Sequence, residues 1–186
     1  MKKTVLTFGL IGGAVIAAMM FATLPFHDKI GFDKGVIVGY TSMILAFMLV
    51  FFGIRSYREN VSDGHITFGR AFAVGILITL ITCACYVVAW EIIYFKFMPD
   101  FVDKYASYMV EKVRTSGASQ QVIDAKLQEM KSFKAMYDNP FINAAITFTE
   151  PFPIGLIVTL ISAAILRKKT LTVSRDEGRP VQLQVQ

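Results

Sequence analysis

The sequence predicts an all-α fold: an integral membrane four-helix bundle, an extracytoplasmic αα-hairpin between its third and fourth transmembrane helices, and a disordered C-terminal tail. Three observations carry that prediction. Of 186 residues, 54% are hydrophobic and only 18% are charged, whereas an ordinary soluble domain is about 25% charged. The apolar residues gather in windows of about 20, the length that crosses a ~30 Å hydrocarbon core at ~1.5 Å per residue. Between them, residues 98–139 change character and alternate apolar with charged side chains at helical spacing.

The first span is expected over 5–24, after Lys2 and Lys3. Its apolar run is longer than the ~7–15 residues of a signal-peptide core, so a retained helix is expected. Gly9, Gly13 and Ala17 form a small-residue stripe suited to close helix packing. A short polar connector, 25–34, leads to the second span, 35–54, which ends on Arg55 and Arg58. Loop two carries Ser62-Asp63-Gly64, a turn tripeptide. The third span is expected over 71–97, with Ala71 and Gly75 as a second packing pair. Tyr86, Trp90 and Tyr94 gather toward its far end, as amphipathic aromatics do where headgroups meet hydrocarbon.

In the hairpin, 98–139, one stripe runs through Phe101, Tyr105, Tyr108, Met109 and Val113, and a second through Ile123, Leu127, Met130, Phe133 and Tyr137. Gly117 ends the first helix, Ser119 can cap the next, and Asn139-Pro140 breaks the second. The fourth span, 144–166, opens with Glu150 against Pro151 and Pro153 and stops on Arg167, Lys168 and Lys169, as a helix ends on the cytoplasmic side. One membrane domain thus occupies 1–169, and 170–186 is a polar cytoplasmic tail. The 19 Lys and Arg divide almost evenly between the two sides. Those next to the spans place both termini and loop two in the cytoplasm and the hairpin, whose cations are dilute and interleaved with acids, outside.

Four stretches read together, KKTVLTFGLIGG, SYRENVSDGHITFGRAF, FMPDFVDKYASY and EPFPIGLIVTLISAAILRKK, resemble the domain-of-unknown-function 4199 family over about residues 1–169. The resemblance implies a four-span protein of the bacterial inner membrane and brings no established activity and no site residues.

Chemistry is expected to be sparse. The net charge of +5 lies in the flanks of apolar runs, which argues for anionic lipid contact and against nucleic acid. Cys83 and Cys85 point about 200° apart on a helix and read as packing residues. His27 and His65 have no Cys or His beside them, so no metal site is expected, and no cofactor motif is present. Carboxylates inside a span are costly and need an explanation, and Glu91 and Glu150 both fall near the outer boundary. With Tyr40, Ser42 and Lys96 in the same layer, they define a candidate polar pocket under the hairpin. Pro151 and Pro153, as helix breakers, free carbonyls beside it. The competing reading has Glu150 in the first turn of a helix and Glu91 snorkelling or paired with Lys96. The expected function is that of a non-enzymatic structural or accessory membrane protein with the hairpin as its interaction surface. The alternative is a small transporter or channel using Glu91 and Glu150. The partners expected are the bilayer and either a second copy of the chain or another membrane or extracytoplasmic protein.

Overall fold

A computed structural model describes residues 1–168 and the backbone of 171–173 and 183–185. Most of the first 168 residues are helical: α1 (Lys2–Thr23), α2 (His27–Val61), α3 (Phe68–Ile92), α4 (Phe101–Thr115), α5 (Gln120–Tyr137), α6 (Pro140–Phe148) and α7 (Pro151–Leu166). Three continuous helical stretches, Lys2–Val61, Phe68–Phe97 and Pro140–Leu166, are long and apolar enough to cross a membrane. Their outward faces are as apolar as the core: Leu10, Ile37, Ile44, Val88, Ile161 and Ile165 are all exposed. A helix hydrophobic all round belongs in lipid or a large core. Hydroxyls are turned inward instead, with Thr79, Thr82, Thr159 and Ser162 buried.

Close contacts fix how α1, α2, α3 and α7 lie. A Cβ at Gly9 would stand 2.8 Å from Ile81 Cβ, and one at Gly13 would collide with Cys85, so α1 and α3 run the same way. Gly12 faces Ala46 and Gly53 faces Phe8, so α2 runs against α1. Thr79 Oγ1 lies 2.9 Å from Thr159 Oγ1 and Tyr86 reaches Glu150, which sets α7 against α3. The long first stretch therefore doubles back on itself. Ala71, in the first turn of α3, is fully buried, and a Cβ at Gly75 would meet Ile54 and Thr159 at 2.8 Å. Ala17 is half-buried. The core is built on Phe47, Val50, Ile54, Val74 and Ile78.

The ends of the helices are closed locally. Ile66 and Lys168 exchange backbone hydrogen bonds of 3.0 and 2.9 Å, and Arg58 Nη1 donates to the Leu166 carbonyl at 3.3 Å. Loop two and the end of α7 therefore share one end of the molecule. At the other end α4 and α5 pack as a hairpin around Val110, Ile123 and Met130. Gly117, with φ +78°, allows the reversal.

Several expectations are corrected. The 25–34 connector is helical, a 3-10 turn running into α2, and its sharp feature is Gly31 at φ +70° and ψ 170°, which a side chain would strain. The fourth span is not one rod: α6 stops at Phe148 and α7 restarts at Pro151, because a proline offers no N–H to the preceding turn. Tyr86 and Tyr94 are buried against protein rather than set in headgroups. The first hairpin stripe is widened rather than replaced: Phe101, Tyr105, Met109 and Val113 are partly buried in the packing as expected, and Val102 and Val110 beside them are buried most deeply. Leu127 of the second stripe is exposed. Ser119 makes no side-chain cap. Within the expected disordered tail, 171–173 and 183–185 pair as an antiparallel ribbon, Thr172 opposite Gln184. The rest of that expectation lies outside the described residues.

Candidate functional site

A cavity of about 450 Å³ lies beneath the hairpin, at the end of the helices away from loop two. Its walls follow from local sequence. Tyr86 and Trp90 on α3 and Ile93 just past its end stand at i, i+4 and i+7, one face of a helix, and all three line the space. On α2, Gly31, Gly35 and Gly39 line the opposite wall, and a Cβ at any of them would meet nothing within 4 Å. The absence of side chains there leaves the volume open. Ile16 and Met20 of α1 close one flank, and Phe101, Tyr105, Phe133 and Tyr137 of the hairpin form the roof.

A polar network ties these walls together. Tyr86 Oη donates to Glu150 Oε2 at 2.8 Å, and Trp90 Nε1 donates to Tyr137 Oη at 2.8 Å. Tyr94 Oη donates to Asp138 Oδ1 at 2.8 Å. Buried Asn143 donates to the Tyr137 carbonyl at 3.2 Å and accepts from Thr147 Oγ1 at 3.0 Å. Trp90 also packs edge-on against Phe101, ring centroids 5.0 Å apart. At the rim, His27 sits between Phe32 and Phe101, with centroids at 5.5 and 5.6 Å. Phe32 in turn packs against Tyr108 with ring centroids 5.1 Å apart and the rings tilted by 34°.

Exposed charges clasp the rim. Lys112 Nζ lies 3.2 Å from Asp33, and Lys104 Nζ lies 3.0 Å from Asp100 and 3.6 Å from Asp28. Hydrogen bonding from Tyr108 and then Lys112 holds the Asp33 carboxyl below its usual 3.8, and Asp100 raises the Lys104 ammonium. Lys134 pairs with Asp103 across the hairpin. Pairs this exposed orient the hairpin more than they stabilise it.

The family model described as "Protein of unknown function (DUF4199)" matches residues 7–168. The chain belongs to that family. No curated protein and no solved structure matches it.

In this DUF4199 chain the residues singled out from the sequence are only partly brought together. Glu150, Tyr40 and Ser42 line the cavity, whereas Glu91 and Lys96 do not. The reason for Glu91 is angular: it follows Trp90 by one residue and so points about 100° away from the lining face. Its Oε1 is buried without a hydrogen-bond partner. Lys96 falls in the π-helical turn Ile93–Phe97, whose wider winding alters the helical phase, and is exposed. Among the described residues no ion pair joins the two. Glu150 is the N-cap residue of α7, yet its carboxylate accepts from Tyr86 instead of bonding its own helix. Pro151 takes the first helical position, where its missing N–H costs nothing. Pro153 is exposed and lines no part of the cavity.

Sequence reasoning missed Tyr86, Trp90 and Tyr137 as site residues. Their signal was present as i, i+4 spacing on α3 and as the last residue of the second hairpin stripe. Among the described residues no three His, Cys, Asp or Glu gather as metal ligands.

Proposed function

We propose that this DUF4199 protein is a non-enzymatic accessory protein of the bacterial inner membrane. It crosses the bilayer four times, with both termini and loop two in the cytoplasm. The α4–α5 hairpin is a fixed platform on the outer face for a protein partner. The observation that carries this reading is the attachment of the hairpin to the apolar helices. Trp90–Tyr137, Tyr94–Asp138 and Lys112–Asp33 link it to α3, to the π-helical turn that continues α3 and to α2 through three separate contacts. A segment held in that way presents one surface, as a docking platform requires. The shared end of loop two and α7, rich in Arg58, Arg70, Arg167 and Lys168, supports the cytoplasmic assignment.

The test is cysteine accessibility. With Cys83 and Cys85 replaced by Ala, single cysteines are placed by Ser62→Cys and Ser116→Cys. A membrane-impermeant maleimide should label the second in intact cells and the first only after permeabilisation. Labelling of the Ser62→Cys protein in intact cells would overturn the topology.

The transport alternative draws on the cavity, but the core beneath it is shut by Phe47, Val50, Ile54 and Ile78, each 0–1% exposed. Proteoliposomes holding the protein should be no leakier to protons or Na⁺ than empty ones. A leak abolished by Glu150→Gln would favour the transport reading instead.

A further inference from the structure

We propose that the cavity beneath the hairpin is a binding site for a lipophilic organic cation: an amine or quaternary ammonium on an apolar body, with Glu150 as its counter-ion. Three features of the site select that chemistry. First, its size, about 450 Å³, lies in the ~300–1,000 Å³ range of small-molecule pockets. Second, its walls are aromatic. Tyr86, Trp90, Phe101, Tyr105 and Tyr137 all line it, and ring faces within ~6 Å attract a desolvated cation through their quadrupoles.

Third, the charge is one-sided. Glu150 is the one Asp, Glu, Lys or Arg among the lining residues. The imidazole of His27 also lines the cavity, but at the rim between Phe32 and Phe101 and beside Asp28, and among the described residues no basic group forms an ion pair with Glu150. A carboxylate beside an apolar wall is stabilised by a counter-charge, and among the described residues its side-chain partner is the Tyr86 hydroxyl rather than a cation. Oε2 is taken by that hydroxyl, which fixes the carboxylate and leaves Oε1 to face an incoming positive charge. Gly31, Gly35 and Gly39 leave empty space opposite, where the apolar body of the ligand fits. Glu91 has no part in this, being outside the lining. The inference holds whichever side of the membrane the hairpin faces.

The protein carries its own reporter, because Trp90 is its one tryptophan and lies in the wall. The full chain, in nanodiscs of phosphatidylglycerol, is titrated with benzyltrimethylammonium while tryptophan emission is followed. A saturable change is expected. Neopentylbenzene, the same shape with carbon in place of the charged nitrogen, should bind at least tenfold more weakly. Glu150→Gln keeps an acceptor for Tyr86 and should also lose at least tenfold. Gly39→Leu grows into open space and should abolish the signal without unfolding the bundle, and Glu91→Gln should leave it intact. Equal affinity for the ammonium and its neutral isostere, or for wild type and Glu150→Gln, overturns the proposal, as does the absence of saturation.

The ammonium could be carried by a lipid headgroup or by a free amphiphile, and lipid composition separates them. If phosphatidylethanolamine added to the nanodiscs raises the apparent Kd of the probe, the headgroup is the occupant. If it does not, the site takes a free cation.

Discussion

Gly13→Ala probes most directly how the apolar helices are seated. The new Cβ would collide with Cβ and Sγ of Cys85, whereas non-bonded carbons rest about 3.5–4.0 Å apart. The Cys85 thiol can rotate away, but its Cβ is fixed to the backbone of α3, so α1 and α3 must separate. Overpacking of this kind costs about 1–3 kcal/mol. In a chain of this length that corresponds to a fall in Tm of about 2–12 °C, read by thermal unfolding in detergent. Cys85→Gly removes both colliding atoms. In the double variant the penalties should therefore not add, and the coupling should exceed about 0.5 kcal/mol. Gly35→Ala is the control: nothing lies within 4 Å of its Cβ position, and Ala is favoured over Gly in a helix by about 1 kcal/mol, so Tm should hold or rise. A Gly13→Ala protein as stable as wild type, or strictly additive penalties, would refute the seating of α1 on α3.

Three further outcomes are expected. Tyr86→Phe removes the 2.8 Å bond to Glu150; hydrogen bonds between membrane helices average about 0.6 and reach about 1.7 kcal/mol, so Tm should fall by about 1–7 °C. Asn143→Ala, at a fully buried position, strands the Tyr137 carbonyl and leaves the Thr147 hydroxyl with only its 3.4 Å contact to the Tyr137 hydroxyl. It should cost about 1–3 kcal/mol, visible as a lower unfolding midpoint. The Asp33 carboxyl should titrate below its usual 3.8 by carbon NMR, and Tyr108→Phe should raise it more than Lys112→Ala, since the Tyr108 hydrogen bond is the larger cause. Because the folded value is the lower one, this contact supports the hairpin fully above the ordinary carboxylate range. That support is lost as pH falls through the depressed value. An Asp33 midpoint at or above 3.8 would remove that prediction.

The membrane helices were legible because their signal is local. Runs of about 20 apolar residues have few other uses, and flanking cations mark their ends. The hairpin was legible for the same reason, through its stripes, Gly117 and the Asn139-Pro140 break. What could not be read was phase. Glu91 and Trp90 are neighbours in sequence and at one depth, yet only Trp90 faces the cavity, and depth alone does not tell which side of a helix is inward. Tyr86 and Glu150 meet from 64 positions apart, a pairing that no periodicity encodes. Gly35 and Gly39 have the same spacing as Gly9 and Gly13, but one pair borders open space and the other a tightly packed helix. A small-residue stripe says that something approaches closely or that nothing is there, and the difference is settled by the partner helix.

The position of α7 has a consequence for how the chain is made. It seats against α2 and α3, with Gly155 pressed onto Phe47 and Thr79, and it is the last of the apolar helices to leave the ribosome. Until it arrives, Thr79 lacks the Thr159 hydroxyl and the Gly155 carbonyl that satisfy it. Roughly fifty residues of hairpin and α6 must first be translated, several seconds at about 5–20 residues per second. Until then the groove on α2 and α3 that seats α7, with Phe47 and the Thr79 hydroxyl in it, is uncovered. A membrane-embedded chaperone or a slow lateral exit from the translocon would shield that groove, and accidental pairing with another nascent chain would have its best opportunity then.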